Sequence, residues 1–191
     1  MIKVIRILAP LMLFAGVAAN AYNFSDAKIE NWVGSGSNSA VVVVDFGTKS
    51  YAFGYNWEGT KSGADMMVDI NAANVGMVMS YSTDPQFGIF VSEIAYHNQP
   101  KRATTGLWPG WNYYNSTDGQ AWSSSWIGAS DTILTNGSWD AWNYTGFDPL
   151  TYAATAPDPV TPVVPEPSSI MALCSLTGLA GSAKLLSFRR K

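Results

Sequence analysis

The middle of this sequence predicts an α+β domain, a mostly antiparallel β-sheet with one short helix, on three observations. Ala40-Val-Val-Val-Val-Asp-Phe46 is a β-branched run, followed after Gly47-Thr-Lys-Ser50 by alternating Tyr51, Phe53, Tyr55 and Trp57. Met66, Met67, Ile70 and Ala73 share one face at helical spacing behind Ser62. From Met77 onward the apolar stretches are short and bounded by turn residues. Period two over four to eight residues is the mark of a strand, and 3.6 over ten or more that of a helix.

Residues 1–21 read as a secretory signal. Lys3 and Arg6 give the positive start, and Ile5 through Ala19 is apolar apart from Arg6 and Pro10. Ala19-Asn20-Ala21 supplies the small residues of a cleavage site, which makes Tyr22 the new N-terminus. An uncleaved anchor is the other reading, and the short apolar stretch disfavours it.

Residues 22–152 form the expected domain. The Val run, unbroken by polar residues, predicts a strand buried on both faces. The aromatic alternation after it predicts a partner strand with one aromatic face, and together they make a hairpin. Ser62 is placed to cap the helix, with Asp65 three residues on near the positive end of its dipole. Strands are then expected at Met77–Tyr81 and Phe87–Ile94. Asp118-Gly119 lies between Trp111–Asn115 and Ala121–Trp126, and Asn136-Gly137 lies between Asp131–Thr135 and Ser138–Tyr144. Both dipeptides tolerate positive φ and predict hairpins.

Residues 153–164 are Pro-rich, cannot form helix, and are expected to be an extended, solvated linker. After them come Pro165-Glu166-Pro167, an apolar run from Ile170 to Ala183, and a basic end with Lys184, Arg189, Arg190 and Lys191. Residues 170–188 would span roughly 28 Å as a helix, close to the hydrocarbon thickness. A transmembrane helix is therefore expected over 168–188. Lys184 can snorkel to the headgroups, and the terminal cations keep that end cytoplasmic.

That order over residues 165–191 resembles the PEP-CTERM sorting signal: a Pro-Glu-Pro motif, one transmembrane helix and a basic cluster. The resemblance implies handling by an exosortase-type transpeptidase after the secretion machinery. The protein would be a single-pass inner-membrane intermediate, then a cell-surface or extracellular protein of a Gram-negative bacterium. A permanent anchor and a GPI tail are the competing readings. GPI tails usually end in apolar residues, whereas this one ends in three cations.

A second, looser resemblance covers residues 40–146. The hairpin, the helix, Phe87-Gly-Ile-Phe-Val-Ser-Glu-Ile94, Trp111-Asn-Tyr-Tyr-Asn115 and Gly128-Ala-Ser-Asp-Thr-Ile-Leu-Thr-Asn-Gly137 are similar to the C-terminal β-grasp-type domain of transcobalamins. That implies a β-grasp-like sheet and a small-ligand, corrinoid-type binding module. The insert 97–110 and the Trp-rich stretch 121–126 depart from the pattern.

Charge narrows the function. Between residues 22 and 164 five cations face thirteen acids, a formal −8, which excludes ordinary phosphate-backbone recognition and so nucleic acid. The one cysteine, Cys174, lies in the tail, so the domain has no disulfide or thiolate metal site. His97 is the sole imidazole, in a polar loop, and no Gly-x-Ser-x-Gly elbow accompanies it. The carboxylates Asp45, Glu58, Asp65, Asp69, Glu93, Asp118, Asp131 and Asp140 follow no calcium-loop spacing. No catalytic residue, metal site or cofactor is expected, and an extracytoplasmic hydrolase is the weakest reading.

Binding or pure structure remains. All eight tryptophans lie in the middle stretch, interleaved with Asn, Ser and Asp, a mixture that suits sugars or flat ligands and also makes a robust sheet. Trp57, Trp111, Tyr113, Trp122, Trp126 and Trp142 are the candidate ligand residues. The expected protein is a non-catalytic surface, matrix or adhesion protein, with polysaccharide or a small ligand as partner.

Overall fold

In the computed structural model, residues 23–102, 109–146, 148, 150 and 154–165 are described. Their elements run β1 (Ile29–Gly34), β2 (Asn38–Asp45), β3 (Ser50–Trp57), α1 (Gly63–Ala72), β4 (Val78–Asp84), β5 (Gly88–Tyr96), β6 (Gln99–Arg102), β7 (Gly110–Ser116), β8 (Ser123–Ser124) and β9 (Trp139–Thr145). The domain is α+β, mostly sheet with one short helix. A six-stranded sheet has the order β1-β3-β2-β9-β7-β8, and β4-β5-β6 form a separate three-stranded sheet. Pairing is antiparallel except for β1 with β3 and β2 with β9.

The Val run forms β2, pairing with β3 from Asn38↔Trp57 to Asp45↔Ser50. It is buried on both faces because both faces of the sheet are covered. Val42 and Val44 join the aromatic face of β3 beneath Met66, Met67 and Ile70 of α1 and Met79 and Ile94 of the small sheet. Val41 and Val43 join Ala27, Ala52, Tyr114, Trp122, Trp139 and Ala141 on the opposite face. Each fully buried Val contributes about 1.5–3 kcal/mol relative to exposure.

Helix α1 begins as expected. The Ser62 side chain accepts from the Asp65 amide, and the Asp65 carboxylate accepts from the Ser62 amide, so a full capping box closes the first turn. The loop after β8 takes up two further amides, Gly63 to the Thr132 carbonyl and Ala64 to the Ala129 carbonyl.

Several expectations are corrected. Strand β5 pairs with β4 and with β6, which the sequence did not signal, and neither β4 nor β5 joins the main sheet. Residues 131–135 form no strand and Asn136-Gly137 no hairpin; Ile133 makes one isolated bridge to Ser62. Strand β9 instead sits between β2 and β7, where Val41–Asp45 and Gly110–Ser116 satisfy both of its edges. The Asn136-Gly137 turn hooks the start of β2: the Ser39 amide donates to Asn136 Oδ1, and the Gly137 amide donates to the Ser39 carbonyl. The Asp118-Gly119 hairpin exists but is short, pairing only Tyr114↔Ser124 and Asn115↔Ser123. Asp118 Oδ1 accepts from the amides of Gln120 and Ala121, which curls the chain before it can extend.

The Pro-rich segment is also not a solvated linker. Residues 154–165 run as a strap against the domain, held at several points. The Val160 amide donates to Asp45 Oδ2, Thr161 Oγ1 donates to the Gly119 carbonyl, and Asn143 Nδ2 donates to the Pro157 carbonyl. Ala27 and Val163 form an antiparallel bridge. Ala154 of the strap packs against the second-face cluster that holds Val41, Val43 and Ala141. Among the described residues no helix is long and apolar enough to cross a membrane, and the expected span 168–188 lies outside them.

Candidate functional site

Five of the six candidate ligand residues are buried. Trp57 stacks on Tyr55, their planes 10° apart. Trp111 meets Phe46 and Tyr144 edge-on and donates its indole N–H to the Lys101 carbonyl. Tyr113 and Trp142 lie 5.3 Å apart in the core beneath α1, and Trp122 belongs to the opposite face. Of these five only Tyr113 and Trp142 pack ring on ring, and the others are taken up by separate parts of the core. Trp126 is the exception, at 100% exposure.

Of the sorting residues, Pro165 is described and exposed. Glu166, Pro167, Lys184, Arg189, Arg190, Lys191, Ala19 and Ala21 lie outside the described residues. His97 is exposed in the β5–β6 turn at φ 51°, its ring 4.2 Å from that of Tyr96.

A cleft of about 500 Å³ opens at one end of the main sheet. Its floor is Ser138 with Trp139 and Asp140 at the start of β9. One wall is the end of β7 with Asn115, Ser116 and Thr117, and the others come from Ser123 of β8 and from Thr132 and Thr135 of the loop. Six hydroxyl side chains thus line it, with no Lys, Arg or His. The volume lies within the range of small-ligand sites.

Asp140 is the charged group of this cleft, only 2% exposed. Strand pairing puts Asn115 opposite Asp140, and Tyr113 lies on the same face of β7. Tyr113 Oη donates to Asp140 Oδ2 at 2.5 Å, and Asn115 Nδ2 donates to Oδ1 at 3.2 Å. Burial pushes the Asp140 carboxyl up to about 6, against the lowering effect of these two donors. Burial and the adjacent carboxylate drive the Tyr113 phenol upward as well, so it stays protonated. Gly63 makes the arrangement possible, because an added Cβ there would fall on the Tyr113 hydroxyl and 2.8 Å from Asp140 Oδ2. Nearby, the Ser138 hydroxyl is buried and has no hydrogen-bond partner among the described residues.

A second cleft of about 440 Å³ lies between α1 and the inner face of β4 and β5, lined by Lys61, Asp65, Val68, Tyr81 and Ile89. Its charges are already engaged. Lys61 Nζ lies 2.9 Å from Asp69, which also accepts from Tyr55, and Asp65 closes the capping box. The first cleft is therefore the stronger site, since its carboxylate has no cationic partner among the described residues.

Comparison with protein-family models, with curated proteins and with solved structures found no match to this chain. The site therefore rests on its own geometry. Among the described residues no group of three or more His, Cys, Asp or Glu side chains is placed to hold a metal ion.

Sequence reasoning singled out Trp126 and passed over Asn115 and Ser138. Asp140 stood only as one acid among many. The one available signal was an acid flanked by Trp139 and Trp142 in a strand, since a carboxylate alternating with large apolar residues tends to be drawn into the core with them.

Proposed function

We propose that this is an exported bacterial surface or matrix protein of the PEP-CTERM type, whose body binds polysaccharide and performs no catalysis. The observation that carries the binding reading is the hydroxyl-lined cleft above Asp140, with the fully exposed Trp126 three residues beyond Ser123 on its wall. Hydroxyl, amide and carboxylate side chains bond the rim of a sugar, and an exposed indole stacks on its apolar face.

The disposition of the chain ends supports the sorting reading. The Lys28 amide donates to the Pro162 carbonyl and the Val164 amide to the Asp26 carbonyl, so both ends of the described body leave from one place. Residues 1–21 would be removed on export. Residues 168–188 would hold the chain in the inner membrane until an exosortase-type transpeptidase cuts near Pro165–Ser168. Intact-mass measurement of the envelope-associated protein tests this, and a mass retaining residues 170–191 would overturn it.

One observation favours the small-ligand alternative. The first hairpin leads to a helix, and the last strand inserts parallel beside the first strand of that hairpin, giving β3-β2-β9-β7-β8. That order supports a β-grasp-like sheet of the transcobalamin kind. Tryptophan fluorescence of the full chain separates the two. Quenching by acidic, neutral or basic polysaccharides supports the first reading, and quenching by a corrinoid alone supports the second.

A further inference from the structure

The Asp140 cleft contains a contradiction that a ligand would resolve. A carboxylate is among the costliest groups to bury without a cation, and proteins normally pair it. Asp140 is 2% exposed, and among the described residues it receives only the neutral donors Tyr113 and Asn115 and has no basic side chain lining the cavity around it. The neighbouring Lys61 is already engaged by Asp69. Each carboxylate oxygen can accept two hydrogen bonds and here accepts one from protein, so both keep acceptor capacity. The Ser138 hydroxyl, two residues before Asp140 and lining the same cleft, adds a third uncommitted acceptor.

These acceptors suit an N–H donor carrying positive charge. They do not suit a calcium ion, which needs six to eight oxygens and usually several carboxylates. The rest of the wall narrows the class further. Thr117, Ser123 and Thr135 can both donate and accept, as a polyol requires, and Thr132, whose hydroxyl donates to the Gly128 carbonyl, can still accept. The cleft is large enough for a sugar ring.

We infer that the cleft takes an amino sugar bearing a free ammonium, with the ammonium on Asp140 and Ser138 and the sugar hydroxyls on the Ser and Thr walls. This rests on the polysaccharide-binding reading and names its ligand: a polysaccharide with de-N-acetylated hexosamine units. N-acetylation removes the charge and adds bulk where the carboxylate waits, so the site discriminates against the acetylated polymer.

The ionisation of Asp140 sets the pH dependence. Tyr113 from β7 is the titratable group that touches it, and it stays protonated. Asp65 in the first turn of α1 is held in the capping box, and Asp131 in the loop is exposed. Binding is therefore expected to be full near pH 7 and to fall as pH drops through about 6, where Asp140 takes up a proton.

The test is calorimetric titration of the full chain, held in a sugar-free detergent, with glucosamine oligomers and with matched N-acetylglucosamine oligomers at pH 7 and pH 5. The expected result is binding of the free-amine oligomer at least tenfold tighter than its acetylated counterpart at pH 7, and lost at pH 5. Asp140→Asn should abolish that preference. Because Asp140 is buried, Thr117→Lys supplies an independent check: the residue is exposed, and a cation on the rim should weaken the free-amine oligomer about tenfold. Equal binding of both oligomers, or a preference that survives both substitutions, overturns the ammonium site and leaves polysaccharide binding standing. If neither these oligomers nor any other polysaccharide binds, both readings fall together.

Discussion

Tyr113 of β7 and Asp140 of β9 meet diagonally across the strand pair, the phenol donating to the carboxylate at 2.5 Å beneath the first turn of α1. The pair ties three parts of the molecule together. Gly63 of the helix lies directly against it, the loop carbonyl of Thr132 accepts from the Gly63 amide, and Asn115 donates to the carboxylate's other oxygen. The candidate cleft thus grows from the same network that seats the helix on the sheet.

That network should carry a pH signature in stability. Asp140 has its folded-state carboxyl raised from 3.8 to about 6 by burial. The native state therefore holds a proton that the unfolded chain has already lost between about pH 4 and 6, and stability contributed by this group falls as pH rises through that window. The displacement corresponds to on the order of 3 kcal/mol. Asp140→Asn does not titrate, so it should gain on the parent by that order between pH 4 and pH 7. Urea unfolding of both proteins at several pH values checks this; a difference independent of pH would refute the buried, ionisable Asp140.

Gly63→Ala tests the packing beneath the helix. Alanine is the better helix former by about 1 kcal/mol, so propensity alone forecasts stabilisation. The new methyl would instead displace the Tyr113 hydroxyl from Asp140, leaving buried polar groups unpaired at about 1–3 kcal/mol. A net loss of up to roughly 2 kcal/mol is expected. Thermal unfolding reads the sign.

These two effects show where sequence reading stops. The β2–β3 hairpin and α1 were legible because their signals are local: a Val run, an aromatic alternation, a Ser62–Asp65 cap. Residues 131–135 resembled a strand because Ile133 and Leu134 are apolar beside Asn-Gly. Only Leu134 is buried, however, and its amide donates to the Lys61 carbonyl, pinning the segment to the helix entry. Asp140 needs Tyr113 and Gly63, 27 and 77 positions away, before its burial has meaning, and no local pattern encodes those approaches. The Pro-rich strap misled for the opposite reason. Its composition forbids helix but says nothing about side-chain partners such as Asp45 or a carbonyl such as Gly119, which hold it down.

The strap should behave as part of the fold. Thr161 is buried and donates to the Gly119 carbonyl, so Thr161→Val keeps the volume and leaves an acceptor unpaired. A loss of about 1–3 kcal/mol is expected. Hydrogen exchange at the Val160, Val164 and Lys28 amides, all bonded between strap and body, should rise in the variant. Exchange at solvent rates in the parent would show that the strap does not dock.

The tryptophans should divide sharply by role. Trp142 is buried against Tyr113, so Trp142→Ala should cost about 3–5 kcal/mol through lost burial and a cavity. Trp126 is fully exposed, so Trp126→Ala should change stability by no more than about 0.5 kcal/mol. An indole stacked on a sugar contributes on the order of 1 kcal/mol, so the same substitution should weaken polysaccharide binding about five- to tenfold. Unfolding and binding measured on both variants separate the two roles. A Trp126→Ala protein that binds polysaccharide as well as its parent would detach the exposed ring from the cleft, and a destabilised one would mean that Trp126 packs against the body after all.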